Sequence, residues 1–171
     1  MAPRRDAEIR RRLHVSDPTS SAMSEPIYAD RLSGEKFADA STMVNAYLFR
    51  YAQQRRQEPQ QLDEGGYAQL LHGEAVVGIN VLEDRGVLMI FAPVIPVPLT
   101  GVEALYRRLL EASFVQTSDA AFAIDRARDE VVVRSLRRLS ALDYEEFEDL
   151  VATVSQVADS WHGELQRDFG R

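Results

Sequence analysis

The chain contains no cysteine, which excludes a disulfide framework, a thiol nucleophile and a cysteine-bound zinc. Lysine is almost absent: Lys36 is the only one, and arginine supplies every other cation. That skew fits a GC-rich coding sequence and carries no functional information. No apolar run approaches the roughly 20 residues that a membrane-spanning helix needs. The arginine-rich start (Arg4, Arg5, Arg10, Arg11, Arg12) is not followed by an apolar stretch, so it does not match a secretory signal. Excess positive charge is missing too. The formal net charge is -7 and the pI about 5.0, a poor basis for holding nucleic-acid phosphates.

Motifs for chemistry are equally scarce. The histidines His14, His72 and His162 have no second ligand at metal-binding spacing, so no metal site is expected. Gly73 and Gly78 stand at phosphate-loop separation, but Ile79-Asn80 replaces the required Lys-Ser/Thr, and the segment opens a strand where that loop opens a helix. No Gly-x-Ser-x-Gly elbow is present. No cofactor and no catalytic residue are therefore expected. An enzyme would need a site assembled from scattered residues such as His72, Asp125 and Arg134. The acids Asp143, Glu145, Glu146, Glu148 and Asp149 open a helix, where its dipole favours negative charge. Arg134, Arg137 and Arg138 lack interleaved aromatics and read as a solvated face.

What is present is a globular composition, 45 % apolar over 171 residues, enough for one domain. Residues 1–35 read as a flexible tail, with Ser16-Asp17-Pro18-Thr19-Ser20-Ser21 as linker, and residues 36–171 as a single domain. A helix is expected from Asp39 to Gln57, with Val44, Leu48, Tyr51 and Ala52 at helical spacing and Pro59 ending it. Strands follow at Tyr67–His72, Ala75–Leu82 and Val87–Ala92, with Gly86 closing the turn between the last two. The third strand is apolar at every position, as one covered on both faces would be. Pro93, Pro96 and Pro98 are expected to stop it.

Thr100 and Glu103 match a capping box for a second helix, reaching about Phe114, with the stripe Val102, Leu105, Tyr106, Leu109, Leu110. A hairpin of Ala121–Asp125 and Glu130–Leu136 precedes the last helix, which Asp143 and Glu146 cap and whose apolar stripe runs to Leu165. The order α-β-β-β-α-β-β-α predicts an α+β fold: an antiparallel five-stranded sheet with helices packed on it. Val76, Leu88 and Ile90 alternate with Val77, Val87 and Met89, so both sheet faces hold apolar residues. Three helices need not cover both, and an uncovered apolar face is an interaction surface.

The run Gly86-Val87-Leu88-Met89-Ile90-Phe91-Ala92-Pro93, then Leu105-Tyr106-Arg107-Arg108-Leu109-Leu110-Glu111-Ala112, then Leu142-Asp143-Tyr144-Glu145-Glu146-Phe147-Glu148-Asp149-Leu150 closing at Trp161 and Leu165, resembles the class I type III secretion chaperones, the Tir chaperone family. The likeness covers about Phe37 to Leu165, in element order and apolar spacing. It implies a cytoplasmic homodimer without enzymatic activity. Such a protein binds the unfolded N-terminal segment of an effector protein and keeps it secretion-competent, partly by adding a strand to a sheet edge. The resemblance implies effector contacts at Leu48, Tyr51, Val77 and Ile79 and a dimer seam at Leu105, Tyr106 and Leu109. The same fold occurs in YbjN-like regulatory or adaptor proteins, which gives the alternative of a folded partner.

Overall fold

In the computed structural model, which describes residues 28–170, backbone pairing begins earlier than the sequence suggests. Strand β1 (Tyr28–Ala29) pairs antiparallel with β2 (Lys36–Phe37). The boundary expected at residue 35 is therefore corrected, and the rest of the expected tail lies outside the described residues. The reason is Asp30, which sits in the loop between these strands and is buried. Its carboxylate accepts from the amides of Leu32 (3.0 Å), Ser33 (2.7 Å) and Tyr144 (2.9 Å) and from the Tyr47 hydroxyl (3.0 Å). Burial alone would raise its pKa, but these bonds outweigh it and hold the carboxyl at about 2. One aspartate thus ties the first ribbon to the first and last helices.

Helix α1 (Ala40–Arg55) starts at Asp39, whose side chain accepts from the Thr42 amide at 2.7 Å. It ends on Arg56 in the left-handed region, φ 55°. Strands β3 (Tyr67–His72), β4 (Ala75–Leu82) and β5 (Val87–Pro96) form a meander, with Gly86 left-handed at φ 64° before β5. Helix α2 (Val102–Val115), strands β6 (Ala121–Asp125) and β7 (Glu130–Arg138), and helix α3 (Tyr144–Phe169) complete the chain. The five-stranded sheet has the order β3-β4-β5-β7-β6, antiparallel throughout. The α+β expectation therefore holds.

Three local expectations are corrected. Strand β5 runs through Pro93 to Pro96, because beyond Phe91 its register with β4 has ended and only β7 lies beside it. A proline there forfeits fewer ladder bonds, and the register shift between Pro93 and Ile95 absorbs the irregularity. The Thr100–Glu103 box does not form: α2 is capped by Gly101 at φ 72°, with no side-chain bond. Nor is β5 covered on both faces. The registers Ile79↔Ile90 and Val81↔Leu88 put Leu88 and Ile90 on the buried face with Val77, Ile79, Val131 and Val133. Val76, Val87 and Met89 turn to the other face, which stays largely open.

The core lies between the closed sheet face and the helices. Asp143 caps α3 by accepting from the Glu146 amide at 2.8 Å. Glu146 then turns to Arg137 (2.8 Å) and does not reach back to the cap. The buried stripe Phe147, Leu150, Val151, Val154, Ala158, Trp161, Leu165 lays α3 along the sheet.

Candidate functional site

Strand β3 is one edge of the sheet, and side chains of α1 reach it, Tyr51 meeting His72 at 2.7 Å. Between them opens a groove of about 410 Å³. Leu48, Tyr51 and Ala52 come from α1, Gln57, Glu58 and Gln60 from the loop after it, and Gln69, Leu70, Leu71 and Val76 from the β3–β4 hairpin. The floor is apolar and the rim amide and carboxylate. Leu71 and Val76 stand 51 % and 42 % exposed beside it on the open face.

The floor is fixed by a polar chain beneath it. The Tyr51 hydroxyl lies 2.7 Å from His72 Nδ1. Arg55 stacks its guanidinium 3.9 Å over the Tyr51 ring and pairs with Glu148 on α3 at 2.8 Å. Burial pushes the His72 pKa down, and the Arg55 charge pushes it further. A neutral imidazole shares a hydrogen bond with the Tyr51 hydroxyl, and burial raises the Tyr51 pKa so that the hydroxyl stays protonated.

The other edge, β6, has a different character. Helix α2 lies along it, and Ser113 Oγ accepts from the Phe122 amide at 3.0 Å. Arg108 on α2 pairs with Glu164 and sits 5.1 Å over the Trp161 ring, which fastens α2 to α3. Here side chains are left over: Leu110 is 73 % exposed and Phe114 86 %. A shallow apolar hollow of about 270 Å³ is lined by Tyr106, Leu109, Leu110, Phe122, Ala123 and Ile124.

Of the expected effector contacts, Leu48 and Tyr51 underlie the groove floor and are themselves buried, 2 % and 1 % exposed. Val77 and Ile79 lie in the core under the helices, with no exposed surface. Alternation separates the two faces of β4, but it does not say which face the helices take. Of the expected seam residues, Leu105 and Leu109 are buried within the protomer and Tyr106 is 39 % exposed. The exposed members of that stripe are Tyr106 and Leu110, continued by Phe114. Sequence reasoning missed Leu70, Leu71, Val76 and the rim glutamines. The sequence places β3 before a hairpin, but only the sheet order shows that it is an edge.

The scattered residues do not converge. His72 is on one edge strand, Asp125 on the opposite edge strand, and Arg134 on β7 between β5 and β6. His162 Nδ1 is bonded to the Val94 carbonyl at 2.6 Å. No cluster that could hold a metal ion is found among the described residues, and His14 lies outside them. Among the described residues no helix is long and apolar enough to cross a membrane. Arg137 is consumed by Glu146 and Asp119, and Glu148 by Arg55.

Residues 48–162 match the model of the Tir chaperone protein (CesT) family. This span contains most of the groove, all five strands of the main sheet, and α2. The ExsC–ExsE complex contains a chain similar to this one, with TM-score 0.62 and 26 % identity over 73 % of this chain and 95 % of that one. The HopA1–SchA chaperone–effector complex gives TM-score 0.59 at 10 % identity, covering 72 % and 96 %. E. coli YbjN gives 0.50 at 14 % identity, covering 70 % and 90 %. At such identities the last two share the fold alone. No curated protein is a detectable sequence relative.

Proposed function

The chain belongs to the Tir chaperone protein (CesT) family, and from that premise we propose that it is a type III secretion chaperone binding the N-terminal segment of an effector protein, unfolded and extended, along the β3 edge. One observation carries this reading: an apolar groove runs beside a sheet edge that has no neighbouring strand among the described residues. An edge strand offers backbone donors and acceptors that only another backbone matches fully, and the groove beside it gives alternate side chains a place. A folded partner would need an open strand edge of its own to match it.

The second part of the reading is a cytoplasmic homodimer, without catalysis, joined across the α2–β6 hollow through Tyr106, Leu110, Phe114 and Ile124. Exposed apolar side chains concentrated on one helix and its neighbouring strand support this, since such a patch stays costly in water until a partner covers it. The seam lies at the sheet edge opposite the groove, so each protomer of a dimer keeps its groove free.

The test is co-purification of the tagged protein from its own cells, followed by limited proteolysis and mass spectrometry. The expected result is one large partner whose protected fragment maps to its N-terminal region. Recovery of folded regulators only, with no protected segment, would replace the chaperone reading with a YbjN-like adaptor.

A further inference from the structure

The β3 edge is not open along its whole length. In an antiparallel ladder, alternate residues turn both backbone groups to the same neighbour. The Gly66 carbonyl accepts from the Val81 amide at 2.8 Å. By that parity Ala68, Leu70 and His72 bond to β4, while Tyr67, Gln69 and Leu71 point outward. Tyr67 is already taken. Its amide donates to Asp63 Oδ1 at 2.9 Å, and its carbonyl accepts from the Asp63 amide at 2.8 Å. Asp63 Oδ1 also accepts from the Gly65 amide at 2.9 Å, which closes a tight turn. Gly66 completes it at φ +75°, where a Cβ would stand 2.9 Å from the Val81 carbonyl. At the other end the edge stops at the hairpin turn that Gly73 begins, φ +63°.

We propose that Asp63 is a register stop: a segment added to β3 bonds to the chain only through the backbones of Gln69 and Leu71. This rests on the effector-binding reading and specifies what that site accepts. The residue of the segment opposite Leu70 turns its side chain to the helix side, as Leu70 does, and so enters the groove over Leu48, Tyr51 and Ala52. Its two neighbours lie over the open face, beside Gln69 and Leu71. The recognised core is therefore three residues long, with a large apolar side chain at its centre. Among the described residues Glu58 is the one charged residue lining the groove, and Arg55 nearby is engaged with Glu148 and Tyr51. A basic residue two positions from the central apolar one, which turns to the same side, completes the partner.

The probe is a phage-displayed library of random dodecapeptides, selected separately on the full-length wild type and on Asp63→Ala. Selected peptides are then used in residue-resolved amide hydrogen exchange. Wild-type selection is expected to give a large apolar residue with a basic residue two positions away, protecting the Gln69 and Leu71 amides and leaving the already slow Tyr67 amide unchanged. In Asp63→Ala the Tyr67 amide exchanges fast when free, becomes protected by peptide, and the consensus lengthens toward it. Asp63→Asn keeps the accepting oxygen and restores the short window, which separates loss of the stop from loss of the fold. Glu58→Lys weakens wild-type-selected peptides by about fivefold, the scale of an exposed ion pair. Peptides that protect only the α2–β6 hollow or the open face would overturn the register stop and leave effector binding standing elsewhere. An unchanged consensus in Asp63→Ala, with Tyr67 still unprotected by peptide, would overturn it as well. Selection of no peptide at all would overturn both the stop and the effector-binding reading.

Discussion

The two edges of the main sheet solve the same problem in opposite ways. At β6 the backbone is attended, with the Phe122 amide bonded to Ser113, and apolar side chains are left exposed on α2. At β3 the apolar side chains are sunk into a groove floor, and among the described residues no strand lies beside the backbone of Gln69 and Leu71. An exposed backbone recognises any extended chain and distinguishes sequences only through a few side-chain seats. Exposed side chains need a surface of matching shape, which in the proposed homodimer is a second copy of the same chain. One edge suits variable, unfolded segments; the other suits a fixed partner.

That contrast is broken most strongly at the seam. Tyr106→Asp combined with Leu110→Asp is expected to weaken dimerisation by about a hundredfold or more, from burial worth about 1.5–3 kcal/mol for each large apolar side chain. Analytical ultracentrifugation would show monomer at micromolar concentration, and affinity for a bound segment should be unchanged per protomer. A wild type that is monomeric under the same conditions would remove the seam reading. At the other edge, proline separates the two directions of the β3 backbone. Leu70→Pro removes an amide that bonds to β4 and should cost about 3 kcal/mol or more in urea unfolding. Leu71→Pro removes an outward amide, so the fold should change little. Segment binding should fall about fivefold or more, the worth of one hydrogen bond at about 1 kcal/mol. Equal destabilisation by both would mean that the parity assigned to β3 is wrong.

Much of this architecture is legible in the sequence, for reasons that also mark the limit. The strands β3, β4 and β6 and the helices were readable because period-2 and period-3.6 patterns report local geometry. The element order then forces antiparallel pairing. What alternation cannot report is which face the helices take, since Val76 and Val77 are equally apolar; Val77 and Ile79 were therefore expected at a surface and lie in the core. The folding of residues 28–35 depends on Asp30 reaching Tyr144, a contact across 114 positions with no local trace. Asp63, by contrast, acts only on residues up to Tyr67, where Gly65-Gly66 is a turn signal legible in the local sequence. Its effect on an edge strand was not, because the sequence does not say that β3 is an edge.

The groove floor also responds to pH. His72 has its pKa lowered from 6.5 by burial and by Arg55, against the opposing pull of Asp159 and Glu148. The unfolded chain therefore binds this proton first. The neutral His72–Tyr51 bond contributes its full stability above the ordinary histidine pKa, and that contribution is lost as pH falls through it toward the lowered folded value. Thermal unfolding at a series of pH values should show a decline across this window in the wild type. His72→Gln should flatten that part of the profile, and an unchanged slope in the variant would assign the decline to other groups. Asp30, held at about 2, acts separately: its stabilisation is lost only below the ordinary carboxylate range, as pH falls toward 2.

The smallest effect belongs to the residue where α1 gives way to the groove rim. Arg56 holds φ 55° so that the Gln57 amide can reach the Ala52 carbonyl at 2.9 Å. A side chain with a Cβ is strained there, whereas glycine is not. Glycine also loses more entropy on folding, so the two terms partly cancel. Arg56→Gly is expected to raise stability by less than about 1 kcal/mol in urea unfolding. The bonds that end α1 remain, and the rim residues Gln57 and Glu58 keep their places, so segment affinity should not move. If affinity falls while stability rises, then the backbone stiffness that Arg56 gives the rim belongs to the binding site, and the β3 edge is less tolerant of its surroundings than its open backbone suggests.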